Sequence, residues 1–122
     1  NFIRIDSEDE VIDAYPLGKE FIVYGIVFWD NSPWYYVCDE NDDEYPVPKY
    51  SGFFETIDDQ LSNQFKLCHS IDENGKKYSA LVFSEWSENK LFYENLVNGN
   101  DHEVNIFLKN KKLIDNEFDQ IE

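Results

Sequence analysis

The chain has 122 residues, 42% of them hydrophobic and 17% aromatic, and its 26 acidic side chains against 10 basic ones give a formal net charge of -16. That length and apolar content suit one domain, residues 1–122, with a real core, and they exclude a chain disordered throughout. The charge repels nucleic acid and anionic membrane and attracts basic proteins or cations, and no apolar run approaches the roughly 18 residues of a membrane span.

From the N-terminus, Phe2, Ile3 and Ile5 begin a short alternation, and Val11, Ile12 and Ala14 suit one helical turn capped by Ser7 or Asp6. Tyr15-Pro16-Leu17-Gly18 is a turn. Residues 20–29, EFIVYGIVFW, predict one strand buried on both faces, with Gly25 marking a bulge or a close neighbour. Asp30-Asn31-Ser32-Pro33 reads as a four-residue hairpin loop, and WYYVCD at 34–39 as the returning strand. Tyr45-Pro46-Val47-Pro48 lacks two ladder donors, so it predicts an edge or an extended crossing segment. Residues 51–61 fit either a strand at Phe53–Ile57 or a helical turn.

Residues 65–71, FKLCHSI, alternate cleanly and predict a strand. Asp72-Glu73-Asn74-Gly75 predicts a hairpin turn, and 78–83, YSALVF, the return. Residues 85–98 predict the main helix, capped near Ser84 and ended at Gly99, with Trp86, Tyr93, Leu96 and Val97 on one broad face. Val104, Ile106 and Leu108 predict a last strand over 103–108, followed by a basic turn at 109–112 that blunts an edge. The tail then predicts a short strand or a fraying helix. The sum is an α+β or mainly β domain, an antiparallel curved sheet of hairpins packed with one main helix.

Cys38 and Cys68 sit in strand-like apolar runs and are too few for a disulfide framework, so two free thiols in a reducing cytoplasm are expected. No signal peptide is visible. The chain contains no Met, not even at position 1, so it is expected to be a processed or ordered portion of a longer product.

No catalytic or cofactor motif stands out. Asp39, Asn41 and Asp43 match the first alternate ligands of a calcium loop, but Glu44 stands where the turn glycine belongs and Tyr50 where the closing Glu belongs. His69 and Cys68 are strand neighbours that point to opposite faces, which does not suit one metal ion. The five glycines form no phosphate loop. No metal and no cofactor are expected.

What remains is charge beside rings. Residues 1–73 hold 17 acids and 4 bases, whereas residues 74–122 hold 9 acids and 6 bases. Rings with carboxylates at the rim suit a partner surface rich in Arg and Lys. The expected docking set is therefore Trp34, Tyr36, Asp39, Glu40, Asp42, Asp43, Glu44, Tyr45, Glu55, Asp58 and Asp59. Within it, DENDDE at 39–44 is expected to be an exposed loop at a hairpin end that binds no structural metal.

The stretches YPLGKEFIVYGIVF, WYYVCDENDDEYPVPKY and FFETIDDQLS, within residues 15–62, resemble the small acidic immunity proteins of bacterial toxin systems, including those of contact-dependent growth inhibition. The resemblance implies a cytoplasmic, non-enzymatic protein that binds one cognate toxin domain, often a nuclease, and blocks its active site or an essential surface. It assigns no individual residue. Two other readings follow from the residues: a small enzyme or carbohydrate-binding module using carboxylates and rings, and a nucleic-acid mimic aimed at a host enzyme.

Overall fold

A computed structural model of the protein describes residues 2–5, 20–38 and 45–119. The fold is α+β. Its larger sheet has five antiparallel strands in the order β5-β4-β3-β8-β7, and a smaller sheet has three in the order β2-β1-β6. The strands are β1 (Phe2–Ile5), β2 (Glu20–Ile22), β3 (Gly25–Trp29), β4 (Ser32–Val37), β5 (Val47–Tyr50), β6 (Phe54–Asp58), β7 (Phe65–Ile71) and β8 (Lys77–Phe83). Three helices follow: α1 (Ser84–Glu88), α2 (Phe92–Val97) and α3 (Asp101–Asp119). The expected helical turn near Val11 and the turn at Tyr15–Gly18 lie outside the described residues.

The apolar run at 20–29 is two strands rather than one. It breaks at Val23 and Tyr24, so β2 serves the small sheet and β3 the large one. The Tyr24 N–H still donates to the Tyr36 carbonyl at 2.8 Å, which keeps the crossing point tied to β4. Phe21, Val23, Ile26 and Val37 pack together there, with Tyr35, Phe54 and Phe65 against them. Gly25 has close neighbours, as its place in the run suggested. A Cβ on it would stand 3.1 Å from Val82 and 3.3 Å from Tyr36.

The first hairpin is tighter than the expected four-residue loop. Asp30 and Asn31 both take positive φ, 51° and 65°, a two-residue turn whose twist matches that of the strands. Asp and Asn tolerate this backbone better than other side chains. Ser32 and Pro33 therefore belong to β4. Pro33 faces Phe28 in a pair that exchanges no backbone bonds, so its missing N–H points away from β3 and past the end of β5. Pro48 lies in β5, at the sheet's edge, as expected.

The second hairpin pairs Phe65–Ile71 with Phe83–Lys77 without a break in register. Gly75 alone takes positive φ here, 79°, and its N–H donates to the Asp72 carbonyl at 3.0 Å. The Asp72 carboxylate accepts the N–H groups of Asn74 and Lys76 at 2.8 and 2.9 Å. That is a three-residue loop with a glycine bulge, the alternative to a two-residue Asn-Gly turn.

The segment expected as one helix, 85–98, holds two. Asn89 is extended, and its side chain accepts the Leu91 N–H at 3.0 Å, which interrupts the helical ladder. Gly99, with φ of 81°, ends α2, and the Asn100 N–H donates back to the Asn95 carbonyl at 3.1 Å. Trp86, Tyr93 and Leu96 face inward as expected, whereas Val97 is exposed.

The largest correction is α3. Residues 103–108 are helix, not strand, and Lys109, Lys111 and Lys112 lie in mid-helix, not in a turn. The buried positions Glu103, Phe107, Asn110, Ile114 and Phe118 recur at helical spacing. Asp101 and Glu103 in the first turn suit the positive end of the helix dipole. Phe107, Ile114 and Phe118 pack with Tyr24, Phe83, Phe92 and Leu96 into the core under the large sheet. The Tyr24 hydroxyl donates to Asp115 at 2.6 Å, and Lys111 pairs with Asp115 at 3.0 Å, which fixes the helix against the crossing point. Glu85 joins the same helix to α1. Burial pushes its carboxyl upward, but hydrogen bonds from Lys109 and Asn110 outweigh that and hold it below its ordinary value.

Candidate functional site

β6 lies at one edge of the small sheet, bonded to β1 alone among the described residues. Its sequence continues past the strand as FETIDDQL, residues 54–61. Glu55, Thr56, Ile57, Asp59, Gln60 and Leu61 are all exposed. Ile57 is 42% and Leu61 45% exposed, which leaves two branched aliphatic side chains in water amid three carboxylates. The Asp58 carboxylate accepts the Gln60 N–H at 3.0 Å and starts the turn out of the strand. No Lys or Arg occurs between Lys49 and Lys66.

The strip ends in a connection held by α3. Ser62, buried in the loop, donates its hydroxyl to one Glu117 oxygen at 2.5 Å, and the Asn63 N–H donates to the other at 2.8 Å. The Ser62 oxygen also accepts the Gln64 N–H at 3.0 Å. Glu117 therefore fixes the place where β6 hands over to β7.

A second feature is a row of rings across the large sheet. Tyr78 meets Trp29 at 6.3 Å between centroids, Trp29 meets Trp34 at 5.7 Å, Trp34 meets Tyr50 at 5.5 Å, and Tyr50 meets Phe53 at 5.6 Å. The row runs from β8 through β3, β4 and β5 to the residue just before β6. Strand register puts these side chains together, since Val27 pairs with Trp34 and Trp34 with Tyr50. Successive rings are inclined by 54° to 87°, so they meet tilted or edge-on, and the row offers no coplanar stacking floor for a sugar. A cleft of about 310 Å³ opens beside Trp29 and Trp34 at the hairpin end. There Lys76 pairs with Asp30 at 2.7 Å and ties the two hairpin turns. The Trp34 Nε1 is buried with no acceptor among the described residues.

The residues expected to dock fall in four places. Glu55, Asp58 and Asp59 come together on the β6 strip. Trp34 lies in the ring row, half-buried. Tyr45 is exposed at the other end of the large sheet, near Tyr93. Tyr36 is only 6% exposed and belongs to the interior, with Trp86 at 4.8 Å and Tyr93 at 5.2 Å. Burial first, then Tyr93 and Tyr78, push its hydroxyl well above the ordinary tyrosine range. Tyr93 is pushed up to about 12, chiefly by burial, and its hydroxyl donates to the Pro46 carbonyl at 2.7 Å. The reason Tyr36 is inside is that both faces of the sheet are covered at this level, one by the small sheet and one by α1 and α2. Asp39, Glu40, Asp42, Asp43 and Glu44 lie outside the described residues.

Ile57 and Leu61 are the site residues that sequence reasoning missed. Their spacing was visible but read equally as a helical or a strand pattern. Cys38 and Cys68 form no disulfide. Among the described residues, no three His, Cys, Asp or Glu side chains gather as a metal site, and no helix is long and apolar enough to cross a membrane. The chain matches no protein-family model, no curated protein and no solved structure.

Proposed function

We propose that this protein is a non-enzymatic inhibitor that docks on a basic protein surface, with a cognate toxin domain of the nuclease class as its partner, and that the β6 strip is its anchor. The observation that carries the reading is the strip itself: Ile57 and Leu61 exposed among Glu55, Asp58 and Asp59, with no basic side chain between Lys49 and Lys66. Aliphatic anchors inside a carboxylate rim suit a surface rich in Arg and Lys. A nuclease is basic where it holds phosphate, and an inhibitor of charge -16 is steered there from a distance. The half-buried Trp34 and the exposed Tyr50 extend the surface toward the large sheet. The likeness of residues 15–62 to small acidic immunity proteins supports the same reading.

The test is genome context followed by binding kinetics: a toxin reading frame beside this chain's gene is expected, and its purified domain is the partner to measure. Nanomolar or tighter affinity is expected, with an association rate that falls as salt rises. The double variant Ile57→Lys/Leu61→Lys should lose at least about 100-fold in affinity, as expected when two anchors of roughly 2 kcal/mol are removed. A partner set composed only of acidic proteins would overturn the inhibitor reading. Unchanged affinity in the double variant would move the anchor off β6.

A further inference from the structure

β7 closes the other end of the large sheet, and among the described residues it is bonded only to β8. Proteins usually defend such an edge with prolines, charges or short strands. β5, at the opposite edge, has four residues and carries Pro48 and Lys49. β7 has seven residues, no proline, no break in register and one fully charged side chain, Lys66. Leu67 is 63% and Ile71 58% exposed, and alternation puts both on one face. A cleft of about 480 Å³ opens along this edge beside His69, Ser70 and Ile71. In a chain of charge -16, no carboxylate occurs between Asp59 and Asp72.

The hairpin sets the direction of the backbone groups. The Asp72 N–H donates to Lys76 and the Asp72 carbonyl accepts from Gly75, so Asp72 turns its peptide groups toward β8. Ser70, Cys68 and Lys66 follow at alternate positions. The N–H and C=O groups of Leu67, His69 and Ile71 therefore point outward. Phe65 shares that direction, but its N–H donates to the Ser62 carbonyl at 3.2 Å.

We propose that β7 pairs antiparallel with β7 of a second copy of this chain, about a two-fold axis at His69. A two-fold contact must be complementary to itself, and this register is. It is the two-fold register in which Leu67, His69 and Ile71 exchange all their outward groups with one another. It sets Leu67 opposite Ile71 of the second copy, so the two exposed aliphatic side chains cover each other twice. It sets Lys66 opposite Asp72 of the second copy, an ion pair made twice. It sets Cys68 opposite Ser70 of the second copy. Because the strand itself is free of carboxylates, two acidic molecules meet here without bringing acid against acid. The assembly is a ten-stranded sheet with both β6 strips left open.

Sedimentation equilibrium on the full chain tests the association, and a dimer that forms with rising concentration is expected. The register is read with Ser70→Cys in a Cys38→Ser background, under diamide as oxidant. Opposed residues that exchange no backbone bonds stand about 4.5 Å apart at Cα, within disulfide reach, so Cys68 and the new thiol should link the two copies. Cys38→Ser alone should not link. Circular dichroism first confirms that Leu67→Lys is folded, and this variant should then sediment as a monomer. A chain monomeric at every concentration overturns the proposal, as does a Leu67→Lys variant that still dimerises. Linkage through Cys68 alone overturns the register. Protection of the Leu67, His69 and Ile71 amides only when a different protein is added would give the edge to that protein, and overturn the proposal too.

Discussion

β6 and β7 follow each other in the chain, both lie at sheet edges, and they present opposite chemistry. From Phe54 to Leu61 the side chains include three carboxylates and no base, whereas from Phe65 to Ile71 they include a lysine and a histidine and no acid. Both expose aliphatic side chains, so hydrophobicity does not tell them apart. Charge does. An edge that repels a second copy of its own molecule is free for a foreign basic one, and an edge without carboxylates is where like molecules of high charge can approach. One protein can thus keep two open edges without confusing them.

The sharpest way to break this contrast is to add base to the acidic edge. Ile57→Lys/Leu61→Lys should abolish partner binding by about 100-fold or more while leaving sedimentation unchanged. Loss of both properties would show that the edges are not independent. Salt should separate them by sign: partner association slows as salt rises, because the charges attract, whereas self-association strengthens, because two molecules of charge -16 repel at a distance. Parallel titrations by surface plasmon resonance and sedimentation check this.

Glu117→Ala should loosen the connection between the edges. The Ser62 hydroxyl and the Asn63 N–H lose a charged acceptor, at a cost of about 1–3 kcal/mol in urea unfolding, with faster amide exchange at Asn63. Tyr24→Phe removes one hydrogen bond to Asp115 and should cost about 1 kcal/mol. The bond it loses joins the crossing point to α3, so both interactions should stay intact. The smallest expected effect is on pH dependence. Glu85 is held below its ordinary value of 4.5 in the folded protein, so its contribution is present above that value and is lost as pH falls through the lower, folded one. Melting temperatures of wild type and Glu85→Gln should converge as pH falls from 6 toward about 3.

The hairpin of β7 and β8 was legible almost to the residue. FKLCHSI has a clean period of two, and Asn74-Gly75 marks its turn. α3 was not legible, and the reason is specific. Two of its buried positions, Glu103 and Asn110, are polar, while Leu108 and Leu113 are exposed. The apolar residues Val104, Ile106 and Leu108 therefore alternate as a strand would, and the helical stripe is hidden. The split of residues 20–29 between two sheets was hidden as well, because a run buried on both faces looks the same in one sheet or two. Of the candidate site, the acids at Glu55, Asp58 and Asp59 could be picked out from charge alone. Whether Ile57 and Leu61 face water depends on β6 pairing with β1, some fifty positions earlier in the chain, and no local pattern reports that. Tyr35 and Tyr36 show the same limit: alternation separates them, but only the covering layers decide that Tyr36 is buried and Tyr35 partly so.

The bond between Asn63 and Glu117 also orders events in time. Fifty-four positions separate the two residues. At synthesis rates of roughly 5–20 residues per second, the carboxylate that steadies the junction is made about 3 to 11 seconds after the junction itself. During that interval β6 and β7 can both emerge while their connection is still loose. A nascent chain therefore reaches its final edge geometry only once nearly all of α3 has left the ribosome, so binding competence waits on the emergence of that helix.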